Sequence, residues 1–199
     1  LHEDYIKEKQ TGKDWHWSIW RPQLVFGEAI GSNLNVITPI GVYAALLKER
    51  GQPLYYPGGP PYVFEAIDVD VMAHAFEWAA TADTSHNEIF NITNGDVYVW
   101  ENVWPVVAEA FGMEVGPAKP YSMAQELPKE QAAWEAIVQK YKLTAPTDVQ
   151  TFVGESAALA DFCFAYGRDQ PPPPMLVSTI KLRQAGFHEC IDTEDMLRK

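Results

Sequence analysis

The sequence has little cysteine, no paired metal ligands and no glycine-rich phosphate loop. Its 199 residues contain two cysteines, Cys163 and Cys190, which are too few for a disulfide framework, so we expect reduced thiols. The five histidines form no HxxxH or HExxH pair, which excludes the common zinc-site spacings. No GxGxxG, P-loop or GxSxG motif is present, so no self-contained site for a pyrophosphate or a nucleophilic serine is predicted.

Long apolar runs are also missing, and the charge balance is strongly acidic. No run reaches the roughly 20 residues that a membrane-spanning helix needs, and residues 1–13 are too charged for a signal peptide. The chain has 15 Lys plus Arg against 27 Asp plus Glu, a net charge of −12, which repels nucleic acids and anionic membranes. We therefore expect a cytoplasmic protein with no nucleic-acid and no membrane partner.

What is present is the pattern of a packed α/β protein, in which three or four short strands alternate with long helices. Strand patterns occur at 15–22 and 88–95, and residues 113–128 are rich in Pro and Gly and are predicted to be irregular. Helices are predicted at residues 3–12, 34–50, 100–111, 128–141, 178–185 and at the end of the chain, with one more that begins at Asp68 and either one helix or two short ones at 148–166.

Individual polar residues have structural interpretations that outweigh catalytic ones. His74 has the helical spacing of an apolar face and His16 lies between tryptophans, so both are predicted to be packed in the core. Asp68 is predicted to cap the helix that follows it. Cys163 is predicted to be a buried, inert thiol, because no basic neighbour lowers its pKa. From these patterns alone, no catalytic set is visible.

The segment WSIWRPQLVFGEAIGSNLN adds a family resemblance. It resembles the strand and loop that follow the catalytic helix in extended short-chain dehydrogenases, and in more detail the progesterone 5β-reductase/iridoid synthase-like reductases. The matching residues are Trp17, Ser18, Arg21, Pro22, Val25, Phe26, Gly27, Ser32, Asn35, Val42, Tyr43, Ala44 and Ala45. Matches continue downstream through QPLYYPG, HAFEWAA, NEIFNITNGDVYVWENVWPVVAEAFG and a K-x-R-x-x-G-F segment, so the resemblance covers nearly the whole chain.

The resemblance implies the C-terminal part of an NAD(P)-binding Rossmann-fold enzyme, with a mostly helical substrate domain and a few short strands. Residues 1–34 would be the last helix, strand and loop of the Rossmann domain. Residues 35–199 would form the substrate-binding C-terminal domain, with strand 88–95 returning to the Rossmann sheet. The chain would then need a missing N-terminal Rossmann half as its partner, and a homodimer is a further expectation.

The resemblance also implies an activity, which is hydride addition from NADPH to the β-carbon of an α,β-unsaturated carbonyl compound. The catalytic Tyr and Lys of the family are expected upstream of Leu1, so no catalytic residue is predicted in this chain. NADP(H) would be the cofactor of the full-length protein, and we expect the chain alone neither to bind it tightly nor to catalyse. The substrate would be a small carbonyl compound.

Site residues follow from the same resemblance. Pro22 and Val25 match the wall that holds the nicotinamide carboxamide. Ser32, Asn33 and Leu34 match the loop beside the cofactor phosphates and the substrate pocket, where plant members of the family have Ser-Met-Met. The far side of the substrate pocket is assigned to three aromatic residues, Phe152, Phe162 and Phe164.

Two other functions remain open at this point. A nucleotide-sugar epimerase or dehydratase of the same superfamily shares the RP segment, and it uses basic residues to hold a diphosphate. The candidates here are Arg168, Lys181 and Arg183, in an acidic C-terminal half. A non-catalytic, dehydrogenase-like binding module is the other alternative.

Overall fold

The structure, a computed structural model, describes residues 2–29 and 32–199 as an α/β arrangement dominated by helices. Its α-helices are α1 His2–Gln10, α2 Ile37–Glu49, α3 Val69–Ala79, α4 Trp100–Ala110, α5 Met123–Glu126, α6 Gln131–Tyr141, α7 Val149–Val153, α8 Ser156–Cys163, α9 Ile180–Ala185 and α10 Thr193–Arg198. Its strands are β1 Ser18–Pro22, β2 Leu24–Phe26, β3 Leu54–Tyr55, β4 Val63–Phe64, β5 Ala66–Asp68, β6 Glu88–Ile92, β7 Tyr98–Val99 and β8 Val115–Gly116.

The strands pair in twos, and the two pairs that matter for the site are both parallel. β1 pairs with β6 so that Pro22 lies opposite Ile92, and β2 pairs with β5 so that Phe26 lies opposite Asp68. β3 pairs with β8 in parallel, whereas β4 and β7 are antiparallel. Short strands among long helices are what the sequence predicts, and the predicted strand at 88–95 contains β6.

The apolar interior is divided into two clusters of buried side chains. The main cluster is formed chiefly by α2, α4 and the helices from α5 to α8. The smaller second cluster lies between the β1–β6 pair and helices α3 and α9, and it includes Ile67, Phe90 and Leu182. Leu24 packs against the main cluster and Val25 against the second, so the alternation of side chains along β2 separates the two clusters.

Asn94 lies between these parts of the chain and is completely buried. Its side-chain Oδ1 accepts a hydrogen bond from the N–H of Asp68 at 2.7 Å, and its own N–H donates to the carbonyl of Ala66 at 2.7 Å. Its Nδ2 donates to Thr193 Oγ1 at 3.2 Å, and its carbonyl accepts from the N–H of Ile191. The residue therefore connects the end of β6 to β5 and to the segment that leads into α10.

An aromatic group at the centre of the main cluster contains polar atoms that lack a protein partner. Trp100 and Trp104 both pack edge-on against Phe164, and Tyr98 packs edge-on against Trp100. Within residues 2–29 and 32–199, no protein group hydrogen-bonds to the Tyr98 hydroxyl or to the two indole N–H groups. The nearby Tyr62 hydroxyl, by contrast, donates to the carbonyl of Phe162 at 2.9 Å.

Three expectations about local structure need correction. His74 is exposed and contacts Glu189, with 2.8 Å between Nδ1 and Oε1, so the prediction that it packs in the core is wrong. The same prediction for His16 is wrong, because its exposed ring stacks on His86 at 3.9 Å. Residues 113–128 are more ordered than expected, since they include β8 and the short helix α5, whose first turn is capped by Ser122.

We expect Tyr98→Phe to leave the free energy of unfolding unchanged or to raise it by up to about 1 kcal/mol, because it removes a buried hydroxyl that has no partner. The matched variant Tyr62→Phe removes a hydroxyl that does donate, and it should lower the free energy of unfolding by about 1 kcal/mol. Urea denaturation followed by circular dichroism measures both. Equal losses in the two variants would contradict the assignment.

Asn94→Ala should lower the free energy of unfolding by about 2 to 4 kcal/mol, because it leaves the buried N–H of Asp68 without an acceptor. Asn91→Ala is the control, since Asn91 lies three residues earlier and donates one hydrogen bond to the carbonyl of Ser178 at 3.1 Å. Its loss should stay below about 1 kcal/mol. Similar losses at the two positions would show that Asn94 does not connect the segments as described.

Candidate functional site

The carboxyl end of the parallel β2–β5 pair, a few residues after the end of β1, defines the candidate site. Pro22 ends β1 and is exposed, and Val25 is half-buried within β2. β2 leads directly into Gly27, where an added Cβ would lie 2.7 Å from Cγ1 of Val69, so only glycine fits this close approach to the start of α3. In α/β proteins, ligands bind beyond the carboxyl ends of parallel strands, which is where this loop begins.

Asn35 fixes the loop that follows β2, of which residues 27–29 and 32–35 are described. Its buried side chain donates to the carbonyls of Gly27 at 3.2 Å and Ala29 at 3.1 Å, and it accepts from the N–H of Ile37 at 3.1 Å. These bonds draw the two ends of the loop together and satisfy a free N–H in the first turn of α2. The loop is therefore held by one side chain from inside.

The three loop residues predicted to contact cofactor or substrate lie just before this asparagine. The carbonyl of Ser32 accepts from Ser156 Oγ at 2.6 Å, and the same Oγ accepts from the N–H of Asn35 at 3.0 Å. Asn33 is exposed, and Leu34 has 69% of its surface exposed. The structure thus attaches this loop to the start of α8 and leaves two of its side chains facing outward.

The predicted substrate aromatics occupy three different environments. Phe152 is half-buried and stacks on Trp134, with ring centroids 5.3 Å apart. Phe162 is 40% exposed, whereas Phe164 is 1% exposed at the centre of the main cluster. No ring contact joins any two of the three within the described ranges. Of the three, Phe162 is therefore the exposed residue, whereas Phe164 is fully engaged in packing.

A cavity of about 550 Å³ opens beside the loop, between the carboxyl ends of β2 and β5 and helices α2, α4 and α10. This volume is within the range of small-molecule sites. Its lining is mainly apolar, with Phe26, Ile40 and Phe111 among the side chains. The sequence patterns missed it, because its walls come from six elements in separate parts of the chain, the start of α3 among them.

Charged groups gather at one wall of this cavity. Asp68 caps α3 as predicted, since its Oδ1 accepts from the N–H of Asp70 at 2.8 Å. Its Oδ2 contacts Lys199 Nζ at 2.7 Å, and this hydrogen bond is the main reason that the pKa of Lys199 is raised. Lys199 Nζ is also 3.4 Å from a carboxylate oxygen of Asp70. Sequence reasoning found the cap at Asp68 but not its lysine partner 131 residues later.

The basic residues considered for diphosphate binding lie elsewhere. Lys181 forms an ion pair with Glu88 at the start of β6, and the guanidinium of Arg183 lies against Gly95. Arg168 is exposed after α8. None of the three lines the 550 Å³ cavity.

Among the described residues we looked for a reactive thiol, a metal site and a membrane-spanning helix. Burial raises the pKa of the Cys163 thiol to about 12, which keeps it protonated and confirms that it is a buried thiol. The described residues contain no cluster of three or more His, Cys, Asp or Glu side chains able to hold a metal ion. Nor do they contain a helix with the length and apolar character needed to cross a membrane.

Comparison with known proteins gives the chain its relatives, although no family model matches the sequence. It is 34% identical over 161 residues to (S)-8-oxocitronellyl enol synthase of Camptotheca acuminata, which covers 75% of this chain and 41% of that protein. It is 33% identical over 133 residues to 3-oxo-Delta(4,5)-steroid 5-beta-reductase of Arabidopsis thaliana, which covers 64% of this chain and 34% of that protein.

Solved structures confirm the predicted fold class. UDP-glucose 4-epimerase of Thermotoga maritima, solved with UDP-glucose, aligns with a TM-score of 0.56 at 15% identity, over 98% of this chain and 48% of that chain. At this identity the likeness concerns the fold alone, which is that of an extended short-chain dehydrogenase. The chain spans about two-fifths of the length of the curated relatives it matches, which fits a C-terminal portion. By its homology to both enol synthases and a steroid 5β-reductase, the chain belongs to the progesterone 5β-reductase/iridoid synthase-like family of oxidoreductases.

Proposed function

We propose that this chain is the substrate-side portion of an NADPH-dependent reductase of α,β-unsaturated carbonyl compounds. It would supply one wall of the nicotinamide site and a cover over the substrate, whereas the catalytic Tyr and Lys would come from an N-terminal Rossmann half. The observation that carries the proposal is the loop after β2, which Asn35 fixes at the carboxyl ends of the parallel strands. This is where the family resemblance assigns the cofactor and substrate contacts.

The residues at this strand end fit the uncharged end of a nicotinamide cofactor. NADPH, when bound, supplies the hydride that reduces the substrate. Pro22 and Val25 would contribute backbone groups and apolar surface, which orient a neutral carboxamide without competing for charge. The chain offers no glycine-rich turn for the diphosphate, so the diphosphate would depend on the N-terminal half.

The same loop favours a carbonyl substrate over a sugar nucleotide. Residues 27–35 contain Glu28 and no lysine or arginine. A site for a diphosphate needs cations, and none of Arg168, Lys181 and Arg183 lines the cavity beside this loop. A carbonyl compound needs no such cation, because its developing oxyanion would be stabilised by the upstream tyrosine. We therefore favour the reductase over the epimerase or dehydratase alternative.

The exposed side chains of the loop would define one side of the substrate pocket. Ser32, Asn33 and Leu34 replace the Ser-Met-Met run of plant members, so an amide stands where those enzymes have a flexible thioether. Phe162, whose ring is 40% exposed, would face the pocket from α8. A polar amide in the wall favours a small enone with an additional polar group over a steroid.

The test of this proposal is a chimaera in which the N-terminal half of the Camptotheca enol synthase precedes this chain. We expect the chimaera to oxidise NADPH in the presence of small cyclic enones, with weaker activity towards progesterone, measured as loss of absorbance at the nicotinamide band. Turnover of a UDP-sugar without turnover of any enone would overturn the proposal in favour of an epimerase or dehydratase.

A loop variant shows whether this chain shapes the pocket of the chimaera. Asn33→Met restores the thioether of the plant members, and we expect it to shift the ratio of kcat/KM for progesterone against the small enone by about tenfold, as one added apolar contact does. Leu143→Met is the matched control, because Leu143 is exposed outside the loop. An unchanged ratio for Asn33→Met would place the loop outside the substrate site.

The isolated chain should bind NADPH only weakly, with a Kd above roughly 1 mM, because it lacks the phosphate-binding turn on which dinucleotide affinity depends. Titration with NADPH while tryptophan fluorescence is recorded measures this directly. Micromolar binding by the isolated chain would contradict the division of the cofactor site between two halves.

A further inference from the structure

We propose that the 550 Å³ cavity binds a small apolar molecule carrying one ammonium group, with the ammonium on Oδ2 of Asp68 in the place now taken by Lys199 Nζ. This inference does not depend on the reductase activity. The cavity combines three properties of a ligand site, which are adequate volume, an apolar lining and one buried charged group at a defined point.

The apolar part of the cavity is open space between helices. Ile40 and Gly41 of α2 face Val107 and Phe111 of α4, and Met196 of α10 contributes to the same lining. Gly41 leaves a gap in the helix surface, because an added Cβ would meet no atom within 4 Å. An apolar chain or ring placed here would remove this surface from water, which is the main source of affinity at such a site.

The charged part of the cavity selects for a cation. The Asp68 side chain is only 4% exposed, and its two oxygens have different tasks. Oδ1 caps α3, whereas Oδ2 is engaged by the ammonium of Lys199, a side chain that is itself 51% exposed. A buried carboxylate requires a charged partner, and here this partner is a half-exposed lysine side chain.

The remaining charges of the lining are consistent with a cationic ligand. Glu28 and Asp70 add two carboxylates at the rim, and Lys199 is the single lysine or arginine among the lining residues of the described chain. An anionic ligand would face three carboxylates, while a neutral ligand would leave the Asp68–Lys199 pair undisturbed. An amine takes over the charge-assisted hydrogen bond that Lys199 now makes to Asp68, and the half-exposed Lys199 ammonium is released to solvent.

Isothermal titration of the full 199-residue chain with three probes of one skeleton tests the proposal. The probes are 4-phenylbutylamine, 4-phenylbutan-1-ol and 4-phenylbutanoate. We expect the amine to bind about tenfold more tightly than the alcohol, because only an ammonium can replace that of Lys199 on Asp68 and let the lysine regain its full hydration, and we expect the carboxylate to bind weakest. Equal affinities, preference for the carboxylate, or no binding of the amine at millimolar concentration would overturn the proposal.

Three variants locate the binding. Asp68→Asn keeps the helix cap, since asparagine caps as well as aspartate, and it should abolish the preference for the amine. Lys199→Met keeps the apolar stem and removes the competing ammonium, so amine binding should tighten. Gly41→Leu places a side chain in the cavity and is favourable in a helix, so it should abolish binding of every probe while the fold is retained. Amine binding that survives in folded Gly41→Leu would place the site elsewhere.

Discussion

The buried side chain of Asn94 holds together segments that no single strand pair connects. One oxygen and one nitrogen of this amide satisfy a backbone N–H at the end of β5 and a hydroxyl at the start of α10. These bonds join the end of β6 to β5 and to the start of α10, and so they add polar contacts to the apolar packing that the two strand pairs share. Buried amides suit this task because they donate and accept at the same time, and an unmatched bond inside the protein is costly.

Strand β5, to which Asn94 is bonded, ends where the loop after β2 and the cavity begin. The β2–β5 pair ends at this site, and the loop after β2 starts from its carboxyl end. Asn35 has a similar role, because its buried side-chain amide donates hydrogen bonds to the carbonyls of Gly27 and Ala29 and so closes the loop. The site is therefore defined by polar bonds from a few buried side chains, while the apolar clusters supply the rigidity behind them.

Local sequence patterns predict much of the fold, because strands, caps and helix ends depend on residues a few positions apart. The cap at Asp68 and the strand that ends at Pro22 are examples. Periodicity wrongly predicts that His74 is buried, because it indicates an apolar face but not the width of that face. In the structure, α3 buries only Val71 and Ala75. The cavity could not be predicted from local patterns, since its walls meet only through tertiary packing. The family resemblance identified the loop and matched Asn35, but it did not predict the hydrogen bonds by which Asn35 holds the loop.

The division of the interior into a larger and a smaller apolar cluster also decides how the molecule opens. Cooperative units with less buried apolar surface open at lower free energy. We therefore expect the second cluster, together with the β1–β6 pair, to unfold locally before the main cluster does. Each such opening would withdraw Asn94 from the N–H of Asp68 and loosen the polar wall of the cavity, while the apolar floor on α2 and α4 stays folded. Warming would therefore weaken the contact of the proposed ammonium ligand with Asp68 before it weakens the apolar contacts of the cavity.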